Sequence, residues 1–258
     1  MSVPESFRRF WSAFDELAAD VQPTSWGAIV SDPRSPDVWD TNYARVDAPR
    51  PVTVEEVEDA LLPVLRSSGV SVEHVVSLRH EAHRELLDAL TARGHGFGWD
   101  AVMAHEERVP ERNGATVEEL VDPDELPTVV AAVLREGFAH QPDTAVDQLV
   151  RLDRDVMRPG GKRWFGVRDD GRVVAAGTLI VLGEVAYVDD VATFPGFRWR
   201  GYATAVVTRI LREAAAIGVE GVYLLADPDE PRVIAIYARL GFREVGRLAS
   251  TRGPTPAA

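Results

Sequence analysis

The run VAYVDDVATFPGFRWRGYATAVV, from Val185 to Val207, constrains the fold more than any other part of the chain. Its first half is an apolar stretch carrying two aspartates, suited to a strand, and Pro195 and Gly201 interrupt it. Beyond Gly201, Ala203, Val206, Val207, Ile210, Leu211, Ala214 and Ile217 recur at intervals of three and four, which is the stripe of an amphipathic helix. A strand that turns at a glycine into a one-faced helix needs a sheet for that face to cover. The junction therefore predicts a mixed α/β layer domain.

The segments around it fill in the order. TVEELV reads as a strand, and Asp122 or Asp124 is placed to cap a helix carrying Leu126, Val129, Val130, Val133 and Leu134. A second helix spans Thr144 to Met157. RWFGVRDDGRVVAAGTLIVLG is two strands joined at Asp169-Asp170-Gly171, a hairpin signal, and EVAYVDDVATF is a third. After the glycine-led helix come the strand GVYLLAD, a short helix closed by Gly241, and the strand REVGRLAS. The order is strand, two helices, three strands, helix, strand, helix, strand.

Upstream, helices are expected at Pro4 to Ala19 and at Thr53 to Ser67, where Thr53 precedes Glu56 by the capping-box interval. The proline-rich segment between them reads as loop with at most one short strand. EHVVSLR and GWDAVMAHEE read as strands and EAHRELLDALTARGH as a helix. VPERNGA, Val109 to Ala115, is polar and aperiodic, so it is read as the linker between a domain at 1–110 and one at 115–258.

The turn itself suggests chemistry. A helix N-terminus presents unpaired N–H groups and positive dipole character, a ready site for an anion. Gly201 lets a ligand approach the backbone, and Arg198 and Arg200 add forked donors suited to phosphate. The plain alternative is a turn glycine among solvated arginines. A P-loop is excluded, because Gly-x-x-x-x-Gly-Lys-Ser/Thr occurs nowhere. GHGFGW, Gly94 to Trp99, follows a helix rather than a strand and is no dinucleotide fingerprint.

These residues resemble the acetyl-CoA-binding motif of the GNAT N-acetyltransferase superfamily. Arg198, Gly201 and Ala203 match its Arg/Gln-x-x-Gly-x-Gly/Ala core, and Val191, Thr193 and Pro195 match the end of the strand before it. Tyr237, Gly241 and Phe242 resemble the downstream Leu-Tyr-x-x-x-Gly-Phe segment, and the resemblance covers about residues 115 to 250. It implies the GNAT fold, a central mixed, mostly antiparallel sheet flanked by helices. It also implies acetyl-CoA as co-substrate, held by backbone groups of Val191 and Thr193 along the pantetheine arm. The pyrophosphate would lie on Arg198, Trp199, Arg200, Gly201, Tyr202, Ala203 and Thr204. Tyr237 is implied as the acid that protonates the departing thiolate, with Asp189 or Asp190 as the candidate base. Alternation would set Asp189 on one face with Val191 and Thr193 and Asp190 on the other. Glu230 stands where the family often has Asn, which leaves no cofactor role for it.

Composition narrows the partners. With no cysteine, disulfides, thiolate metal sites and an acyl-cysteine intermediate are excluded, which agrees with direct transfer. The net charge of −13 argues against nucleic acid and favours a cationic acceptor such as a small-molecule amine. The longest strongly apolar run, Val173 to Gly183, falls short of the roughly 20 residues of a membrane span. With no secretory apolar core at the N-terminus, a soluble cytoplasmic protein is expected. His80 and His83 are three apart, not the four that a His-Glu-x-x-His zinc helix needs, so no metal site is assigned. His140 is a candidate substrate contact, and Trp26 and Trp39 are read as packing residues. ELLDALTARGHGFGWDAVMAHEE faintly echoes IYARLGFREVGRLAS, which raises a tandem arrangement with a degenerate first domain; an unrelated cap is the alternative. A homodimer is compatible with the resemblance. A catalytically silent acyl-CoA-binding module is the rival reading, and a nucleotide-phosphate binder the third.

Overall fold

Helix α1 (Glu5–Ala18) turns Phe7 and Phe10 into the interior, and its Asp15 meets the Tyr43 hydroxyl and Arg45 Nε there. The structure, a computed structural model, describes residues 3–107, 109, 114–137 and 143–254. His140 and most of the expected linker lie outside them. The chain divides into two compact units, Met1–Val102 with Ala226–Asp229 and Glu244–Ala258, and Met103–Leu225 with Glu230–Arg243. Among the described residues no helix is long and apolar enough to cross a membrane.

In the first unit, β1 (Asp20–Thr24), β2 (Gly27–Ser31) and β3 (Asn42–Val46) form an antiparallel meander. These three strands replace the loop expected from proline and aspartate content. Pro23 is tolerated because β1 is an edge strand with no ladder partner on its outer side. Helix α2 (Val54–Ser68) then crosses over to β4 (Val72–Ser77), which pairs in parallel with β3. Parallel neighbours need such a crossover. Val57, Leu61 and Leu65 of α2 bury their side chains with Ile29, Val46 and Val75. The capping box is formed as expected, with Glu56 N–H donating to Thr53 Oγ1 at 3.3 Å and Thr53 N–H to Glu56 Oε2 at 2.9 Å. Helix α3 (Arg84–Ala92) and β5 (Gly96–His105) follow. The last strand, β11 (Phe242–Pro254), pairs antiparallel with β4.

His83, Trp26 and Trp39 each have contacts within this unit. His83 is buried, with Nδ1 2.7 Å from Ser77 Oγ and Nε2 2.9 Å from the Ala48 carbonyl, so both ring nitrogens are engaged. Trp26 is buried and donates from Nε1 to the Glu56 carbonyl at 3.0 Å. Trp39 carries the Arg252 guanidinium 4.2 Å above its ring.

The second unit begins with β6 (Glu118–Leu120), α4 (Leu126–Ala132) and a π-helical turn at Val133–Gly137. No side chain caps α4; Asp122 instead accepts the Asp124 N–H, closing a local turn. Helix α5 (Asp143–Leu152) runs into a second π-helical turn, Asp153–Met157. Strands β7 (Arg163–Asp169), β8 (Arg172–Leu182) and β9 (Val185–Thr193) are antiparallel. Asp170 and Gly171 join β7 to β8 with φ of 47 and 77, the paired positive angles of the expected tight hairpin. Helix α6 (Tyr202–Ile217) crosses over to β10 (Gly221–Ala226), parallel to β9, and α7 (Pro231–Arg239) follows. One face of this sheet packs Trp164, Ala176 and Ala192 against Leu126, Val129 and Val133. The other receives α6 so closely that a Cβ on Gly177 would meet Val206 Cγ1 at 2.9 Å. Ile217, expected on the buried stripe, is 52% exposed where α6 ends at Gly218. Both units are thus mixed, mostly antiparallel sheets flanked by helices.

One buried acid in the first unit gives a pH test. Glu73 is fully buried, neither carboxylate oxygen has a hydrogen-bond partner, and His95 Nε2 is 3.5 Å away. Burial, reinforced by the charge of Glu58, pushes its pKa up to about 7. The folded state therefore holds a proton that the unfolded chain releases above its ordinary value of 4.5, so this contribution to stability is lost as pH rises through about 7. Urea melts of wild type and Glu73→Gln should diverge between pH 4.5 and about 7 and run parallel above that. The wild type should lose up to about 1.4 kcal/mol per pH unit relative to the variant; parallel profiles between those pH values would refute it.

Candidate active site

Strand β9 is irregular at one point. Ala192 lies opposite Ala176 and Asp189 opposite Thr178, so Asp190 and Val191 together face Gly177. This is a β-bulge. Asp190 has φ 51, a left-handed conformation that aspartate tolerates better than most residues. The extra residue overturns the alternation expected here. Asp189 shares the face of its register partner Thr178, whereas Val191 lies against Gly177 on the α6 side.

Asp190 is also firmly held. Its Oδ2 is 2.7 Å from Lys162 Nζ and accepts from Thr178 Oγ1 at 3.2 Å. Lys162 Nζ lies 3.4 Å from Asp153 Oδ1 and 5.0 Å from the Trp164 ring centroid. Asp153 accepts from Trp164 Nε1 at 2.9 Å and has Arg158 Nε 3.0 Å from Oδ2. Burial opposes the charge on Lys162, yet Asp190, Asp153 and Asp189 together hold its pKa above the ordinary lysine value. The carboxylate's charged partner is this lysine. No sequence motif marks Lys162. The bulge did leave a trace, since a lone glycine inside an apolar strand pattern, here Gly177, signals one.

The bulged part of β9 is where it leaves its parallel neighbour. β10 pairs with β9 at Gly221↔Val185, Val222↔Ala186 and Tyr223↔Tyr187, and among the described residues that ladder goes no further. From Val188 to Thr193 one edge of β9 is open toward β10. Thr193 Oγ1 is buried without a hydrogen-bond partner, and the Thr193 carbonyl accepts from Arg198 Nε at 3.1 Å. Arg198 therefore folds back along the strand. Arg200 is 3.6 Å from Asp169 Oδ2 and stacks 5.3 Å from the Phe197 ring.

The turn then enters α6 through Gly201, with φ 79 and ψ 10. No side chain caps the helix and its first turn holds no acid. A Cβ at Gly201 would meet no atom within 4 Å, so the glycine is there for its backbone angle and for open approach. Trp199 also has a positive φ, 69, an outlier for a bulky residue that costs about 1–3 kcal/mol. Tyr202, Ala203 and Thr204 form the first helical residues, half-buried. This uncapped, dipole-positive end fits a diphosphate, and the open edge of β9 fits an extended amide arm.

Tyr237 lies on α7, buried, with its ring 5.9 Å edge-on to Phe242. Burial first, and the charge of Asp189 second, raise its pKa well above the ordinary tyrosine value. It is protonated throughout the neutral range, and Asp189 is near enough to act on it electrostatically. Glu230 is exposed just ahead of α7 and caps nothing with its side chain. Among the described residues no cluster of three or more His, Cys, Asp or Glu is arranged to hold a metal.

The bulged strand β9 thus parts from its parallel neighbour and feeds an uncapped helix. Residues 130–242 match the acetyltransferase (GNAT) family model, so the resemblance read from the C-terminal half holds over that span. No curated protein matches the chain. Among solved structures, a GCN5-related N-acetyltransferase from Kribbella flavida is similar with TM-score 0.66 and 19% identity, covering 97% of this chain and 95% of that one. A functionally unknown conserved protein from Staphylococcus epidermidis ATCC 12228 is similar with TM-score 0.74 and 13% identity, covering 92% and 94%. At these identities the likeness is one of fold. A putative GNAT acetyltransferase from Novosphingobium aromaticivorans DSM 12444 is 26% identical with TM-score 0.47; the match covers 61% of this chain and spans only 64% of that one.

The Lys162 network sets an energetic expectation. Lys162→Ala leaves the Asp190 and Asp153 carboxylates without their shared cation and should destabilise the protein by about 3 kcal/mol in urea unfolding, a typical cost of breaking a buried pair. A loss below about 1 kcal/mol would show that the network does not hold the bulge.

Proposed function

We propose that the protein is an acetyl-CoA-dependent N-acetyltransferase that moves an acetyl group directly to the amine of a small molecule. The observation that carries this reading is the uncapped N-terminus of α6, opened by Gly201 and fed by a strand that has left its neighbour. In this reading the N–H groups from Trp199 to Thr204 hold the pyrophosphate, Arg200 adds charge, and backbone groups of Val191 and Thr193 align the pantetheine arm.

The chemistry follows from the groups present. A neutral amine attacks the thioester carbonyl carbon, a C–N bond forms, and the C–S bond breaks. Tyr237 gives its proton to the departing sulfur and is restored by the proton that the attacking nitrogen sheds as the amide forms; the pKa raised by burial keeps the phenol protonated until the thiolate forms. A strand N–H of β9 stabilises the oxyanion. Between the two candidate bases, Asp190 is already engaged by Lys162 and Thr178, which favours Asp189 for removing the ammonium proton. The acidic chain suits a cationic acceptor, with nucleic acid and membrane outside the reading, and a cytoplasmic homodimer is its assembly.

The first unit fits a degenerate GNAT-like domain without CoA. It repeats the antiparallel strands, helical crossover and parallel strand, but α2 closes its N-terminus with Thr53 and Glu56 and carries Glu55 beside them. A diphosphate would meet carboxylates there instead of free N–H groups.

Turnover tests the activity. Wild-type protein should release free thiol from acetyl-CoA with members of an amine panel. Tyr237→Phe should lower kcat by about 100-fold or more while CoA affinity is kept. Binding of CoA with no thiol release from any amine would point to the silent binding module, and protection by ATP but not CoA to a nucleotide-phosphate binder. The pyrophosphate assignment has its own check by calorimetry. Gly201→Val, a β-branched residue at positive φ that also fills the approach, should abolish CoA binding. Arg200→Ala should weaken it by only about tenfold. Normal binding by both variants would remove the assignment.

A further inference from the structure

Trp199 joins two properties that seldom coincide. It is 82% exposed, and its backbone is held at positive φ. An indole kept in water on a strained turn is not a packing residue, and such outliers gather at ligand sites. Its neighbour is equally unusual. Arg232, in the first turn of α7, places its guanidinium 5.3 Å from the Trp199 ring centroid, and among the described residues it forms no ion pair. Arg198 is turned onto the Thr193 carbonyl and Arg200 toward Asp169, whereas Arg232 is the cation that lies over the indole.

We propose that Trp199 and Arg232 form a subsite for the adenosine 3′-phosphate of the acyl-CoA: the indole stacks on the base and the guanidinium takes the 3′-phosphate. The inference rests on the acyl-CoA reading above. In CoA one ribose joins the 5′-diphosphate to the adenine and carries the 3′-phosphate as well. A ligand whose diphosphate lies on Trp199 to Thr204 must set a flat ring and a further phosphate next to that turn. An exposed indole offers stacking that any base can use. A planar fork of donors suits the phosphate oxygens. The subsite makes the enzyme select CoA over carriers that share the pantetheine arm but lack the 3′-phosphate or the nucleoside.

Calorimetry with CoA, 3′-dephospho-CoA and 4′-phosphopantetheine tests this, using wild type, Arg232→Gln and Trp199→Ala with folding checked by circular dichroism. Wild type should bind CoA about tenfold more tightly than 3′-dephospho-CoA, the scale of one charge-assisted contact. Arg232→Gln should bring that ratio close to one, so that losing the arginine and losing the phosphate are not additive. Trp199→Ala should weaken both nucleotides alike and leave 4′-phosphopantetheine unchanged. A wild-type ratio near one, or an Arg232→Gln loss equal for all three ligands, would overturn the subsite while leaving the CoA reading intact. Binding of none of the three to wild type would overturn both. If Trp199→Ala changes sedimentation but not ligand preference, the indole is a subunit contact and the proposal fails.

Discussion

The irregular part of β9 depends on how one aspartate is held. Asp190 supplies the extra residue of the β9 bulge, in a left-handed conformation, and its carboxylate lies between Lys162 and Thr178. A charge in this half-buried position is tolerable only with a partner, and a lysine only with more than one carboxylate. Asp153 meets the second condition, and Trp164 ties Asp153 into the sheet. The network pins the place where β9 stops behaving as a regular strand. The open strand edge runs through that place, and the turn through Trp199 and Gly201 and the start of α6 follow it.

Two helices show how little separates a binding end from a closed one. Both α2 and α6 cross over between parallel strands and bury an apolar stripe. Thr53 and Glu56 satisfy the first N–H groups of α2, a cap worth about 1 kcal/mol, with acids around it. In α6 a glycine stands at that position and leaves the N–H groups without a side-chain partner. Stability was taken in one case and vacant donors kept in the other. On the proposed reading, this contrast keeps a diphosphate off the first unit.

Much of this was legible because it is local. The apolar stripe of α6, the Asp170-Gly171 hairpin and the Thr53 capping box each rest on residues within a few positions of one another, and each formed as expected. What was missed is non-local. The strands β1 to β3 draw their stability from neighbouring strands and from α2, which outweighed a proline and aspartate content typical of loops. The face of Asp189 was misjudged because a period of two assumes no bulge. Lys162 gained its role from Asp153 and Asp190, one on a preceding turn and one on a later strand, and no spacing announces such a meeting. Trp199 entered the reading only through the family resemblance, and its exposure and its stacking partner on α7 were not legible.

The pairing of β11 with β4 has a consequence for how the protein is made. Ala249 lies opposite Ser77 and Pro254 opposite Val72, so this ladder joins segments about 170 residues apart. β4 emerges from the ribosome early and holds one side of its backbone unmatched while the whole second unit is synthesised. Until β11 appears, that side is an unsatisfied edge able to recruit any extended chain nearby. The first unit is thus first to be translated and last to be completed, and the interval between the two is its period of greatest exposure to misassembly.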